Sequence, residues 1–239
     1  MDIEILRNES WRLFDQIAPR YDLLNRILSL GLDILWRRRL LKFLPPGDNL
    51  KVLDIATGTA DVPLMLIKKS QKVQLAHGLD MSARMLTIGK RKITRDGLEG
   101  RIVLKQGDAA KLPYDQPFFN ASTIAFGIRN MPDVFRVLRE MSRVLTPGGR
   151  ILILEFSLPK NFLVRWLYLI YLRFVVPVVG CVFSGHFTAY RYLNKTIETF
   201  PSGNSFLELL RSAGFKNLKT NSLLFGIASI YQGDKPSGD

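Results

Sequence analysis

The segment Val52-Leu53-Asp54-Ile55-Ala56-Thr57-Gly58-Thr59-Ala60-Asp61, followed by Gly78-Leu79-Asp80, constrains this chain more than any other part of it. An apolar run ending near a carboxylate, a turn of small residues and a helix-compatible stretch read as the first strand, loop and helix of a nucleotide-binding α/β unit. Asp80 closes the next apolar run, Val73 to Leu79, where a carboxylate accepts both hydroxyls of a ribose. Gly58 lets the turn take positive φ and removes the Cβ that would stand between a ligand and the backbone. The spacing alone fits an NAD enzyme or an S-adenosylmethionine (SAM) enzyme. The turn favours SAM, because admitting a pyrophosphate takes the three glycines of GxGxxG and only Gly58 is here.

From residue 51 onward apolar runs alternate with helix-like stretches, the pattern of a parallel sheet covered on both faces. It predicts strands near 51–56, 73–80, 101–106, 119–126 and 149–156, and helices near 61–70, 82–95 and 132–145. Asp61 stands where an N-cap would start the first helix, and Pro147-Gly148-Gly149 where the last would end before strand five. A helix over 203–213, stopped by Gly214, and strands near 215–220 and 223–232 complete a Rossmann-like, seven-stranded, mostly parallel sheet. Residues 1–46 read as an N-terminal helical lid closed by Pro45-Pro46-Gly47, and 47–239 as the catalytic domain, with 158–200 a substrate-cap insertion.

Composition narrows the function classes. A chain of 239 residues with 47% hydrophobic content buries a substantial core, as one large domain or a domain with an appended subdomain. One cysteine, Cys181, and two histidines leave neither an internal disulfide nor a usual zinc constellation, so no metal is expected. A cytoplasmic setting is expected, since Asp2, Glu4, Arg7 and Glu9 precede any apolar run and argue against a secretory signal. The net charge of +13 gathers at Arg37-Arg38-Arg39, Lys68-Lys69 and Lys90-Arg91-Lys92 through Arg95. Such clusters suit nucleic acid or an anionic bilayer, and equally suit solvated helix faces.

The stretch FLVRWLYLIYLRFVVPVVGCVF, Phe162 to Phe183, is long enough to span a bilayer. Arg165, Arg173, Pro177 and Gly180 interrupt it, and a central Arg costs roughly 2.5–3.5 kcal/mol. A span here would also put the flanking strands of one sheet on opposite sides of a membrane. The segment is therefore expected to cover the active site, offering apolar surface to a hydrophobic substrate or the bilayer interface; a buried core helix is the alternative.

In a doubly wound sheet, ligands bind beyond the C-terminal strand ends. That gathers Asp54 and Gly58 after strand one, Asp80 after strand two, Asp108-Ala109 after strand three, Phe126 to Asn130 after strand four and Glu155 to Ser157 after strand five. Asp80 suits a ribose and Asp108 an adenine amino group, because carboxylates accept strong hydrogen bonds.

Several further motifs carry a resemblance. Phe14-Asp15-Gln16-Ile17-Ala18-Pro19-Arg20-Tyr21-Asp22 is followed by Asn25, Ser29, Gly31 and Trp36-Arg37-Arg38. Ala125-Phe126-Gly127-Ile128-Arg129-Asn130 and Leu154-Glu155-Phe156-Ser157 stand at later strand ends, and Ala189-Tyr190-Arg191-Tyr192-Leu193, Phe200-Pro201 and Gly226-Ile227-Ala228 lie beyond them. With these, residues 10 to 233 resemble the menaquinone/ubiquinone C-methyltransferases. The resemblance implies a class I SAM-dependent methyltransferase that C-methylates a polyprenylated quinol, with SAM held at Thr59, Asp80, Asp108 and Ala109. Gly58-Thr59-Ala60-Asp61 resembles the menaquinone branch, and Ala125 stands where ubiquinone-pathway members often carry Ser, which makes demethylmenaquinol the expected substrate.

The chemistry asks for a group that stabilises a ring oxyanion or accepts a proton, and Arg129 and Asn130 are the candidates. Arg129, always protonated, would stabilise a phenolate or orient a water. Tyr21, Asp22 and Asn25 are expected to line the ring pocket, and His186 to lie exposed in a cap loop. Expected partners are the quinol and a peripheral contact with the anionic inner face of the cell membrane, without nucleic acid; a homo-oligomer is compatible with the sequence. An RNA methyltransferase and a non-catalytic nucleotide-binding membrane protein are the competing classes.

Overall fold

A computed structural model describes residues 7, 9–184 and 187–237, with 182–184 and 187–191 described by backbone alone. Seven strands form one sheet: β1 (Leu50–Ile55), β2 (Val73–Asp80), β3 (Ile102–Gln106), β4 (Phe119–Ala125), β5 (Leu145–Phe156), β6 (Lys216–Leu223) and β7 (Ala228–Asp234). Their order is β3-β2-β1-β4-β5-β7-β6. The first five pair in parallel, while β7 runs antiparallel to both β5 and β6. The order reverses between β1 and β4, so the crevice for a ligand opens where those strands end.

Alternation along the strands sends side chains to opposite faces. Leu53, Ile55, Ile151 and Ile153 enter a core completed by α6 (Val134–Val144) and α10 (Asn204–Ser212). Val52, Leu152 and Leu154 enter the opposite core, with α3 (Leu32–Arg39), α4 (Asp61–Lys69) and α5 (Ala83–Arg95). Ser82 caps α5 by accepting the Met85 N–H at 3.1 Å, and Asp133 caps α6 by accepting the Arg136 N–H at 2.9 Å.

The N-terminal helices α1 (Ser10–Ile17), α2 (Tyr21–Leu28) and α3 lie near the strand ends. After β5 come α7 (Phe162–Ile170), a π turn over Tyr171–Val175, α8 (Val176–Ser184) and α9 (Phe187–Thr199). A third apolar cluster joins the two regions: Leu24 of α2 packs with Tyr168, Leu172, Val176 and Ile197. The Tyr171 hydroxyl donates to the Leu28 carbonyl at 2.5 Å.

Three local expectations are corrected. Asp61 does not cap α4: Ala60 takes the cap position at φ +65°, and the Asp61 carboxylate accepts from Arg26 and Lys92 instead. Pro147-Gly148-Gly149 does not precede strand five but lies within β5, where the register against β4 shifts between Phe119 and Ala121. The last strand begins at Ala228 because Leu224-Phe225-Gly226 form a turn, all at positive φ.

Candidate active site

The loop after β1 is strained where it meets the crevice. Ala56, Gly58 and Ala60 all take positive φ, at +52°, +56° and +65°. For the two alanines this costs on the order of 1–2 kcal/mol each. Phe126, at the end of β4, is likewise at +61°. The two loops touch: a Cβ on Gly127 would lie 2.6 Å from the Ala56 Cβ, so only glycine lets them approach this closely.

A cavity of about 310 Å³ opens beyond these strand ends, lined by Gly58, Asp80, Met81, Gly107, Asp108, Ala109 and Asn130, among others. Asp80 is held by backbone donors, its Oδ2 accepting the Gly58 N–H at 2.8 Å and its Oδ1 the Ser82 N–H at 2.9 Å. Burial nonetheless pushes its carboxyl above the ordinary range, against those bonds. Asp108 accepts the Ala110 N–H at 2.8 Å. Two carboxylates, a glycine-floored loop and a volume in the range of small-molecule sites fit the ribose and adenine of SAM. Gly58, Asp80, Asp108 and Ala109 thus come together as a set.

Asp54 and Thr59 sit apart from them. Both border a recess of about 20 Å³ under the loop. Asp54 accepts from the Thr123 hydroxyl at 2.5 Å, and burial pushes its carboxyl up to about 7. The Thr59 hydroxyl donates to Asp22 at 2.7 Å and accepts from Lys92 at 2.9 Å.

Those contacts belong to an ionic network that ties the N-terminal helices to the loop and to α4. Lys92 pairs with Asp22 at 2.5 Å and with Asp61 at 2.7 Å. Arg26 pairs with Asp61 at 2.7 Å, and both Arg26 and Arg37 pair with Asp33. Burial pushes Asp61 upward, but Lys92, Arg37 and Arg26 hold it down at about 2. Asp15 adds a second tie, accepting from the Ser82 hydroxyl at 2.5 Å. Asp22 therefore serves this network, whereas Tyr21 and Asn25 line a second cavity from which Asp22 is absent.

A second, larger cavity of about 390 Å³ lies between the N-terminal helices and the helices that follow β5. Leu24, Leu28, Trp36, Phe156, Leu167 and Ile197 make most of its wall apolar. Its floor is a group of rings, with Phe126 and Phe156 at 4.5 Å and Trp36 at 6.1 Å from each. Phe14, Tyr21, Phe126 and Asn130 line both cavities, and so mark the neck between them. Burial raises the Tyr21 phenol, opposed by the Arg37 charge and a hydrogen bond with Asn25.

Asn130 thus belongs to both cavities, and Arg129 before it lines the larger one. Arg129 Nη1 donates to Glu155 Oε1 at 2.5 Å and to the Phe126 carbonyl at 2.7 Å. Its Nε, with Asn130 Oδ1 and the hydroxyl of Tyr168, is buried without a hydrogen-bond partner among the described residues. Polar atoms left unmet on the wall of an apolar cavity suit a small polar head on an apolar ligand. Arg129 is thus both ion-paired and partly unsatisfied, and Glu155 is the partner that sequence reasoning placed at a strand end without a role. Phe14, Lys92 and Tyr168 carry no site role in the sequence reading. Lys92 reads as one charge in a basic run, and Tyr168 as an amphipathic aromatic suited to the headgroup region. The structure instead buries Tyr168 on the cavity wall, 8% exposed. His186 lies outside the described residues.

Comparison with known proteins agrees with this geometry. The model of the ubiE/COQ5 methyltransferase family matches residues 6–235. The ubiquinone/menaquinone biosynthesis C-methyltransferase UbiE of Geotalea daltonii is 43% identical over 223 residues, 93% of this chain and 94% of that protein. The demethylmenaquinone methyltransferase of Thermus thermophilus is 42% identical over 224 residues, 94% of this chain and 100% of the relative. Among solved structures, the cyclase SpnF superposes with a TM-score of 0.69 at 16% identity, covering 95% of each chain. A SAM-dependent methyltransferase of Thermotoga maritima gives 0.66 at 19% identity, covering 94% of this chain and 99% of that one. These two likenesses speak for the fold alone.

Proposed function

This chain belongs to the ubiE/COQ5 methyltransferase family, and from that premise we propose that it methylates a ring carbon of demethylmenaquinol. At the coarser level it is a SAM-dependent C-methyltransferase of quinone biosynthesis. The observation that supports this reading is the pair of adjoining cavities, one carrying carboxylates and one largely apolar, with Phe14, Tyr21, Phe126 and Asn130 common to both.

SAM, when bound, supplies a methyl group made electrophilic by its sulfonium. In this reading Asp80 holds the ribose, Asp108 and Ala109 the adenine, and Gly58 and Thr59 the turn beneath them. Phe14, Tyr21 and Phe126 keep water from the neck and align the ring for attack. A quinol carbon becomes nucleophilic when the neighbouring hydroxyl loses its proton. Asn130, at the neck, and Arg129, next to it in the chain, stabilise the oxyanion that results. Glu155 fixes the guanidinium and, being committed to it, is not the free base.

Residues 1–46 act as the lid and 158–200 as the substrate cap. Phe162–Cys181 is long and apolar enough to cross a membrane by length and composition. However, β5 before it and β7 after it pair in one sheet, so the segment returns to the side it left. Phe162, Trp166 and Phe174 point outward, 82%, 52% and 66% exposed, and we read this face as a peripheral membrane contact. Arg165 is exposed as that role asks, but Arg173 pairs with Glu198 at 2.6 Å and offers less charge to a phosphate.

The test is methyl transfer from labelled SAM to extracted quinones and, in parallel, to RNA. Label in menaquinol supports the reading, and label in RNA would overturn it. A 2-methoxy-6-polyprenyl-1,4-benzoquinol is the second quinol to assay, because the Geotalea daltonii relative carries both quinones in its name.

A further inference from the structure

Tyr168 of α7 is 8% exposed and sits among Leu24, Leu172, Val176 and Ile197. Its hydroxyl is buried and meets no hydrogen-bond partner among the described residues. A phenol removed from water and left unpaired weakens a fold by about as much as a lost hydrogen bond. Phenylalanine would fill the same space without that penalty, so packing does not account for the hydroxyl. The residue lines the larger cavity, on whose wall Arg129 Nε and Asn130 Oδ1 are also unmet. Burial drives its phenol well above the ordinary range, with the Arg129 and Glu155 charges bearing on it, so it is a donor at any working pH.

The chemistry of a 1,4-quinol then divides the wall into two stations. The carbon to be methylated must face the neck, so the oxygen next to that carbon falls to Asn130, which lines both cavities, with Arg129 next to it in the chain. The second oxygen lies para to the first, on the opposite edge of a flat ring, where one polar station cannot reach both. Asn130 lines both cavities, whereas Tyr168, like Arg129, lines only the larger one, and its hydroxyl is carried by the helix that follows β5.

We propose that Tyr168 is a substrate-contacting residue whose O–H donates to this second ring oxygen, making the cap a reader of the para-dihydroxy ring. The proposal rests on the quinol reading and deepens it. It carries a specificity consequence: a site built to hydrogen-bond an oxygen rejects the analogue that lacks it, because the buried donor is left unpaired.

The experiment uses the full-length enzyme and its Tyr168→Phe variant with two acceptors. One is a short-chain 2-prenyl-1,4-naphthoquinol; the other is 3-prenyl-1-naphthol, which keeps the hydroxyl beside the acceptor carbon and lacks the para oxygen. The variant should raise KM for the quinol about tenfold, the scale of one buried hydrogen bond. Its S-adenosylhomocysteine affinity should be unchanged and its Tm equal or higher, since an unpaired group is gone. The wild type should prefer the quinol over the naphthol, and the variant should lose that preference. An unchanged KM, or a preference retained in the variant, would overturn the proposal. A Tm that falls with KM would make Tyr168 a packing residue and overturn it too. A wild-type enzyme that methylates no quinol would take down the underlying reading, and this assignment with it.

Discussion

The Arg129 guanidinium and the Glu155 carboxyl meet at 2.5 Å with 3% and 0% of their side chains exposed. They tie the end of β5 to the short helical turn that follows β4. Neither charge has water to fall back on, so each is the other's principal compensation. The same guanidinium borders the larger cavity, so in the proposed reading the pair couples the site's stability to its chemistry.

Replacing Arg129 by Ala should therefore do two things at once. Turnover should fall by about 10² to 10³, the scale of a lost oxyanion donor. Stability should fall by about 3–5 kcal/mol, because Glu155 loses its buried partner and its carboxyl is left uncompensated in the core. The double variant Arg129→Met with Glu155→Gln should recover much of the Tm without recovering turnover. Thermal melts alongside single-turnover methyl transfer separate the two effects; recovery of turnover in the double variant would make the pair purely structural.

Asp80→Ala should weaken S-adenosylhomocysteine binding by about 2–3 kcal/mol, the scale of hydrogen bonds to a charged group. Part of that loss is indirect, since Asp80 also accepts the Gly58 and Ser82 N–H groups and so shapes the loop. Isothermal titration is the measurement. A variant that titrates like the wild type would remove Asp80 from the ribose site.

The ionic network predicts an acid-sensitive lid. Asp61 is held at about 2 in the folded protein, below its ordinary value. A depressed carboxyl stabilises the fold above its unfolded pKa, and that contribution is lost as pH falls through the folded one. The window is therefore roughly pH 4 to 2. Lys92→Met removes a main cause of the depression, so near-UV circular dichroism should report loss of lid packing at a higher pH than in the wild type. An unshifted acid midpoint would show that Lys92 does not hold the network.

Gly127→Ala should destabilise the protein by about 1–3 kcal/mol, the range for forcing a methyl into a packed site. The added Cβ meets the Ala56 Cβ at 2.6 Å, and Ala56 is already at positive φ. Because the two loops border the cavity proposed to hold the cofactor, S-adenosylhomocysteine affinity should fall with Tm. A variant with wild-type Tm would mean that the loops separate without strain.

The exposed apolar rim predicts reversible liposome binding. Leu30 and Phe225, 87% and 78% exposed, stand on loop tips, and Leu30 and Leu224 both line the larger cavity near Leu167 of the cap. Wild-type protein should float with anionic vesicles and be released by high salt or carbonate. Trp166→Ser with Phe225→Ser should weaken binding several-fold without changing Tm, since neither side chain is buried. Retention through carbonate washing would contradict a peripheral contact.

The alternating core and the carboxylates at strand ends are written locally. Leu53 and Ile55 face one layer and Val52 the other because a strand has a two-residue period, and that period is visible in the residues themselves. Gly58, Asp80, Asp108 and Ala109 could be gathered in advance because strand ends in a doubly wound sheet converge by topology. What only tertiary structure decided is which partners those ends meet. Thr59 turned away to Asp22 and Lys92, Asp61 became part of a charge network and not a cap, and Arg129 was claimed by Glu155, 26 residues later. Tyr168 gained its place from a helix folding back over the crevice. Side-chain periodicity is a short-range property of the backbone, so sequence carries it. Pairing of charges and exposure of a phenol depend on distances across the chain, which exist only once the helices pack.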